Sequence, residues 1–287
     1  MIKLLATDLD GTLFYPKKRF ALLSKKNAVF LKKFISNGNK VVLVSGRNVN
    51  IAKKISKKVE SNVDMIGCNG SVILKDGDIF KDSPIPHEYV KNLYEDNIDP
   101  NVISWAIMSD KYPLAIAPCK LGFTLKSLYR IGLKCQFAYK DDYIFGDDKF
   151  YQVINDSEAR IYKVMAIYGL GKKNKIKARL GTRKFTDAYG TKFECLWSNQ
   201  AIEFTNKGVN KAYSLKKLID VLKLNLDEVA VVGDSGNDIS LFEAFENSFV
   251  MSHAPKAVKK KAKTEIKSVY CIEKYIDEEG ERNESNN

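Results

Sequence analysis

Histidine and cysteine are scarce in this chain and poorly spaced for a metal site. The two histidines, His87 and His253, lie far apart, and none of the five cysteines forms a CxxC pair. Zinc sites built from these residue types need closely spaced ligands, so the sequence argues against one. An odd number of scattered cysteines also argues against a disulfide framework, and we expect buried thiols in a reducing compartment.

Long apolar runs are also lacking. No stretch approaches the roughly 18 apolar residues that a membrane-spanning helix requires, and the chain enters a strand-like pattern without a signal-like segment. We therefore expect a cytoplasmic protein with no membrane partner. A length of 287 residues, with 45% hydrophobic and 29% charged residues, is typical of one large globular domain or two ordinary ones.

Acidic residues are outnumbered, because 47 Lys and Arg face 35 Asp and Glu, which gives a net charge of +12. A basic surface can bind nucleic acid, so a nucleic-acid-binding protein is one alternative. The lysines are scattered, however, and their densest run, residues 256–267, contains no aromatic residue that could stack on bases. A lysine-rich surface that attracts a small anionic substrate fits this pattern better.

The first part of the chain alternates buried strands with amphipathic helices. Apolar runs at residues 4–6, 41–47 and 64–66 predict strands, and apolar stripes at residues 25–37 and 51–59 predict helices between them. Short connections in a βαβαβ order favour a parallel sheet. The predicted fold class is α/β, with a doubly wound, mostly parallel, Rossmann-like core.

This alternation stops at residues 71–81. Asp76 and Gly77 stand between two short apolar runs, which predicts a β-hairpin. Pro84 and Pro86 then mark a boundary. The segments that follow are less regular and richer in residues that favour strands.

We predict two domains from this change of pattern. Residues 85–204 form an inserted α/β domain, and residues 1–84 and 205–287 together form a discontinuous core. The doubly wound pattern returns in the last third of the chain, where residues 228–234 form another apolar strand that ends in an acid. The polar tail, residues 277–287, is predicted to be disordered.

Polar residues follow the predicted strands of the core or begin its helices. Alternation along a strand puts Asp8 and Asp10 on one face, where two acids repel each other unless a cation or a proton lies between them. In a doubly wound sheet, ligands bind beyond the carboxyl ends of the strands. The candidate site residues are Asp8, Asp10, Ser45, Gly46, Lys207, Asp234, Asn237 and Asp238.

Each candidate has a functional and an ordinary interpretation. Asp8 and Asp10 suit a nucleophile beside a general acid/base near a hard metal ion, or else a solvated turn. The Ser45 hydroxyl and the backbone N–H groups after it suit phosphate oxygens, or else form a simple turn. Lys207 is either a surface lysine or a phosphate ligand that Gly208 allows the backbone to bring close.

Four segments resemble, in order and spacing, motifs I to IV of the haloacid dehalogenase superfamily, most of whose members are phosphohydrolases. These segments are DLDGTL, SGR, NKG and GDSGND. CNGS and the basic segment after FVMS resemble features of the Cof-type branch, which carries a large α/β cap between motifs II and III. Ser252 and His253 replace the Gly-Asn that is customary in that branch.

The resemblance implies a covalent mechanism and a metal. Asp8 would attack phosphorus to form an aspartyl-phosphate, and Asp10 would protonate the leaving oxygen and then activate water. Asp8, the backbone carbonyl of Asp10, and Asp234 would hold Mg²⁺, with Asp238 assisting through water.

The resemblance also implies a phosphate site and a class of substrate. The phosphoryl group would be bound by Asp8, Ser45, Gly46, Lys207 and Asn237, and Asn237 would also orient the site. The implied function is a Mg²⁺-dependent phosphatase of a small phosphorylated metabolite, such as a sugar phosphate, a nucleotide or a phosphorylated cofactor. A phosphomutase that uses the same intermediate is the alternative within enzymology.

Overall fold

The computed structural model describes residues 1–16, 22–118 and 143–276. The chain divides into two compact units: Ser83–Val209 form the second, and the chain on either side of them forms the first. The predictions for Cys119, Cys135 and the polar tail lie outside the described residues. Cys68, Cys195 and Cys271 are free thiols, and of these only Cys68 is fully buried.

The described strands and helices alternate along much of the chain. In chain order the strands are β1 (Leu4–Thr7), β2 (Lys40–Val44), β3 (Asp64–Gly67), β4 (Val72–Lys75), β5 (Asp78–Asp82), β6 (Ser104–Ser109), β7 (Ala115–Ala117), β8 (Ile144–Phe145), β9 (Ile161–Ile167), β10 (Phe193–Ser198), β11 (Ala201–Asn206), β12 (Val229–Gly233), β13 (Asn247–Met251) and β14 (Thr264–Ile266). The helices are α1 (Lys25–Ser36), α2 (Ile51–Val59), α3 (His87–Asp96), α4 (Asp147–Asn155), α5 (Lys172–Tyr189), α6 (Lys211–Leu222), α7 (Ile239–Ala244) and α8 (Lys256–Lys259).

The first unit is built on one sheet with the strand order β14-β13-β12-β1-β2-β3-β4-β5. Its strands run parallel from β14 to β3, and the hairpin of β4 and β5 adds an antiparallel edge. The predicted doubly wound α/β fold and the hairpin at Asp76 and Gly77 are confirmed. Since Leu5 pairs with both Val41 and Ala230, β1 lies in the middle of the sheet.

Helices α1 and α2 pack on one face of this sheet. Leu5 and Leu43 of the sheet share a buried apolar cluster with Phe30 and Leu31 of α1 and with Ile55 of α2. Helix α6 instead contacts β3 and β4. Layers of helix around a buried parallel sheet explain why the strands are apolar throughout rather than alternating.

The second unit has its own sheet, in the order β10-β11-β9-β6-β7-β8, and all of its pairs are antiparallel except β7 with β8. Its core packs Trp105 against Phe185 and Phe204. Strand β11 pairs with β10 as far as Asn206, so residues 205–209, which we predicted to belong to the core, are part of this unit.

Within the described residues, no helix is both long and apolar enough to cross a bilayer.

One buried polar side chain ties three parts of the first unit together. Asn27 of α1 is fully buried, and its Nδ2 donates to the carbonyl oxygen of Leu13 at 2.9 Å. Its Oδ1 accepts from Ser268 Oγ at 3.0 Å and from the backbone N–H of Tyr270 at 3.2 Å. The loop after β1, helix α1 and the turn after β14 are therefore joined by a single amide.

We predict that Asn27→Ala lowers the free energy of unfolding by about 2–4 kcal/mol, because it leaves several buried donors and acceptors without partners. Urea denaturation measures this change. Asn37→Ala at the exposed end of the same helix is the matched control and should change stability by less than about 0.5 kcal/mol. Equal effects of the two substitutions would contradict this account of Asn27.

Candidate active site

The site forms where the central parallel strands of the first unit end. Asp8 directly follows β1, Ser45 follows β2 and Asp234 follows β12. These strands are neighbours and run in the same direction, so their carboxyl ends share one edge of the sheet. Carboxylate oxygens of Asp8, Asp234 and Asp238 lie within 4.8 Å of one another. The structure thus brings together three of the acids that the sequence analysis selected.

A buried lysine lies among these acids. Lys211 Nζ lies 2.8 Å from Asp8 Oδ1 and 2.6 Å from Asp238 Oδ1, and it donates to Asn237 Oδ1 at 3.5 Å. The Lys211 side chain is fully buried. It is the first residue of α6, whose start is fixed by Asn210, because the Asn210 side chain accepts from the backbone N–H of Tyr213.

Burial and mutual repulsion control the ionisation of the acids. Burial raises the pKa of Asp8 well above its usual value, Asp238 and Asp234 raise it further, and Lys211 opposes the rise. Burial and the charge of Asp238 likewise raise the pKa of Asp234 to about 7. Burial alone would lower the pKa of Lys211, but Asp238 and Asp8 outweigh it and raise the pKa.

This group of charges suits a hard cation. One lysine stands against three carboxylates, and oxygen donors of this kind are those that Mg²⁺ prefers. A cation between the carboxylates would lower the pKa values of Asp8 and Asp234 again, because it compensates their charge. The residues that are present therefore fit a magnesium ion.

Asp238 is bound on both carboxylate oxygens by the protein itself. Its Oδ1 contacts Lys211, and its Oδ2 accepts from the backbone N–H groups of Asp234 and Ser235 at 3.0 and 2.9 Å. The loop after β12 is thereby folded around this carboxylate. Both oxygens of Asp238 are thus bound by the protein, and this carboxylate holds Lys211 and the loop in place.

Asp234 is oriented by the loop after β1. Thr12 Oγ1 donates to Asp234 Oδ1 at 3.1 Å. Gly11 has a φ of +84°, and a Cβ built on it would lie 2.4 Å from Asp234 Oδ2. Only glycine fits at position 11, because the backbone is left-handed there and because Asp234 leaves no room for a Cβ atom.

The side chain of Asp10 is held by Arg47. It is more than half exposed, and Arg47 Nη2 donates to its Oδ1 at 2.7 Å while Arg47 Nε donates to its Oδ2. Ser45 is buried beside this pair, with its Oγ accepting from the backbone N–H of Arg47 at 3.3 Å. Gly46 lies between them and is partly exposed.

The position predicted for the lysine is wrong. Lys207 belongs to the second unit, where its Nζ is paired with Glu194 at 3.2 Å and its side chain is 54% exposed. Residues 205–206 are held in β11, so α6 begins only at Lys211, and it is this lysine that contacts Asp8. The sequence does contain a pattern that indicates burial of Lys211. This lysine lies four residues before the buried Leu215 and continues the apolar stripe of α6.

His253, which replaces the customary asparagine, remains close to the site. Its Nε2 lies 3.7 Å from Asp234 Oδ2, and its ring centroid is 4.1 Å from that of Tyr15. Partial burial lowers its pKa. Sequence reasoning also gave no role to Thr12 or Arg47, although both stand inside the quoted motifs.

Comparison with known proteins identifies the family of this chain. The family model for haloacid dehalogenase-like hydrolases matches residues 5–270. The chain belongs to this family of hydrolases, within the Cof-type branch.

Similar proteins come from several bacteria. The Mycoplasma genitalium protein named "Putative phosphatase MG125" is 29% identical over 280 residues, covering 90% of this chain and 89% of that protein. The structure of SMU.1108c from Streptococcus mutans matches with a TM-score of 0.78 at 17% identity, covering 96% of this chain and 100% of the other. The HAD subclass IIB sugar phosphatase BT4131 matches with a TM-score of 0.75 at 17% identity, covering 96% and 99%. These two structures share the fold of this chain.

We predict that Lys211→Met lowers the free energy of unfolding by about 3–5 kcal/mol, since it leaves Asp8 and Asp238 buried without their cation. Lys207→Met is the matched control and should cost less than about 1 kcal/mol, because it removes only a partly exposed pair. Urea denaturation in metal-free buffer measures both variants. A larger loss for Lys207→Met than for Lys211→Met would contradict the assignment of the buried lysine.

Proposed function

We propose that this protein is a Mg²⁺-dependent phosphatase that hydrolyses a small phosphorylated metabolite through an aspartyl-phosphate on Asp8. The observation that carries the proposal is the fully buried ammonium group of Lys211 between Asp8 and Asp238. A structural lysine seldom remains buried among acids, because desolvation of the charges is costly. In a phosphoryl-transfer site, this ammonium compensates charge where the phosphoryl group binds.

Asp8 is the proposed nucleophile. Lys211 holds its Oδ1, and within the described residues no hydrogen bond is made by its Oδ2. Oδ2 attacks phosphorus, so that an O–P bond forms to Asp8 while the O–P bond to the leaving group breaks. Water then attacks the same phosphorus, inorganic phosphate leaves, and the Asp8 carboxylate is restored.

Asp10 is the proposed general acid/base. It gives its proton to the leaving oxygen in the first step and takes a proton from the attacking water in the second. Its side chain is more than half exposed, so solvent has access to it. Arg47 holds the carboxyl group in place on both of its oxygens.

The metal site is proposed on Asp8, Asp234 and the backbone carbonyl of Asp10. Bound there, Mg²⁺ would neutralise charge on the carboxylates and on the phosphoryl oxygens. Asp238 would act indirectly, by holding Lys211 and the backbone N–H groups of Asp234 and Ser235.

The phosphate site is proposed on Ser45, Gly46, Asn237 and Lys211. Lys211 takes the role that the sequence resemblance implied for Lys207. The Ser45 hydroxyl and the backbone N–H groups that follow it are small donors at the end of β2, which suits phosphoryl oxygens. Asn237 is buried beside Lys211 and orients it.

The substrate is proposed to be a small phosphorylated metabolite. Phosphatases among the similar proteins, including a sugar phosphatase, support this class and make sugar phosphates the first compounds to test. The net charge of +12 favours an anionic substrate.

We predict that Asp8→Asn lowers kcat by roughly 10³-fold or more, because an amide is a poor nucleophile. Steady release of inorganic phosphate from an aryl phosphate with Mg²⁺ present measures this and distinguishes hydrolysis from a mutase reaction. Asp220→Asn, an exposed acid of α6, is the control and should match the wild type. Retention of more than a few per cent of activity by Asp8→Asn would rule out the covalent step.

We also predict that EDTA abolishes activity and that added Mg²⁺ restores it. Asp234→Ala should raise the Mg²⁺ concentration for half-maximal activity by at least about tenfold or remove activity, because it deletes a charged oxygen ligand. A titration of initial rate against Mg²⁺ measures the shift. Full activity in EDTA would contradict the metal site.

A further inference from the structure

The turn after β3 contains a polar side chain to which no role has yet been given. Asn69 is fully buried and has a φ of +58°, in the left-handed region. Its Oδ1 accepts from Asn237 Nδ2 at 3.1 Å. We propose that Asn69 is a positioning residue that fixes the side-chain amide of Asn237 with its carbonyl oxygen facing Lys211.

The partners of Asn237 determine which way its amide points. Its Oδ1 accepts from Ser235 Oγ at 2.6 Å and from Lys211 Nζ at 3.5 Å, while its Nδ2 donates to Asn69. If the amide turned over, its NH₂ group would face the Lys211 ammonium, and two donors would meet. Asn69 is the acceptor that makes the observed orientation the stable one.

The backbone of the same turn connects the other parts of the site. The N–H of Asn69 donates to the carbonyl oxygen of Ser45 at 3.0 Å. The carbonyl oxygen of Gly70 accepts from Ser214 Oγ of α6 at 2.6 Å. A Cβ on Gly70 would lie 2.4 Å from the carbonyl oxygen of Asn210, so the turn packs directly against the start of the helix that carries Lys211.

Asn69 thus touches the segment with Ser45, the loop with Asn237 and, through Gly70, helix α6. A simpler role is also conceivable, in which asparagine stands here only because it tolerates a left-handed backbone. The two roles predict opposite results for one substitution. Glycine keeps the backbone conformation and removes only the side-chain acceptor.

The first measurement needs no enzyme activity. In protein labelled with [¹⁵N]asparagine, the side-chain NH₂ signals of Asn237 are identified by their loss in Asn237→Ala. One of the two protons should exchange slowly with solvent in the wild type, because it is bound to Asn69. In Asn69→Gly these signals should shift and exchange at least about tenfold faster. Fast exchange of both protons in the wild type would overturn the proposal, whether or not any variant folds.

The second measurement rests on the proposed phosphatase function. Asn69→Gly should lower kcat by about 10–100-fold with little change in KM, since Lys211 is no longer correctly oriented during phosphoryl transfer. In an Asn237→Ala background the same substitution should change kcat by less than about twofold, because Asn69 acts through Asn237. Equal losses in the two backgrounds, or wild-type kcat in Asn69→Gly, would overturn the proposal.

Asn199→Gly is the matched control. Asn199 also has a positive φ, of 51°, but it lies in the turn between β10 and β11 of the second unit. It should leave both the Asn237 signals and kcat unchanged. If the protein hydrolyses no phosphate ester, the kinetic measurement fails together with the proposed function. The exchange measurement still decides whether Asn69 holds Asn237.

Discussion

The contact between Lys211 and the two buried acids, Asp8 and Asp238, is the constraint on which the site depends. An ammonium group is stable inside a protein only when nearby acids compensate its charge, and each acid needs the lysine for the same reason. The lysine must therefore enter at the start of α6, at the point where β1 and the loop after β12 deliver their carboxylates. The strand order places those ends side by side.

Because Lys211 is shared by two acids, the negative charge of the third acid, Asp234, is not fully compensated by it. With Lys211 shared between Asp8 and Asp238, nothing of opposite charge within the described residues offsets Asp234 fully, and its pKa rises to about 7 through burial and the nearby Asp238. A divalent cation would correct the imbalance and bring a phosphoryl group with it. A cation bound among these acids would relieve their mutual repulsion.

Much of this arrangement could be predicted from sequence. Asp8, Ser45 and Asp234 follow apolar strands, and parallel strands bring such residues to one edge whatever the details of packing. The sequence could not show whether Lys207 or Lys211 contacts Asp8, because the answer depends on where β11 ends and α6 begins. Pairing of β11 with β10 decides that boundary, and sequence patterns locate boundaries poorly. Contacts such as Asn69 with Asn237 depend on side-chain packing across 168 residues of chain and leave no local pattern.

The central claim is that Asp8 receives the phosphoryl group, and Asp10→Asn tests it most directly. This variant lacks the proposed general base, so an aryl phosphate with a good leaving group should phosphorylate the enzyme once and then stall. Absorbance should record one equivalent of released phenolate, and peptide mass spectrometry after acid quenching should find a phosphoryl group on Asp8. Phenolate release with the phosphoryl group on any other residue, or with no modified residue, would contradict the account.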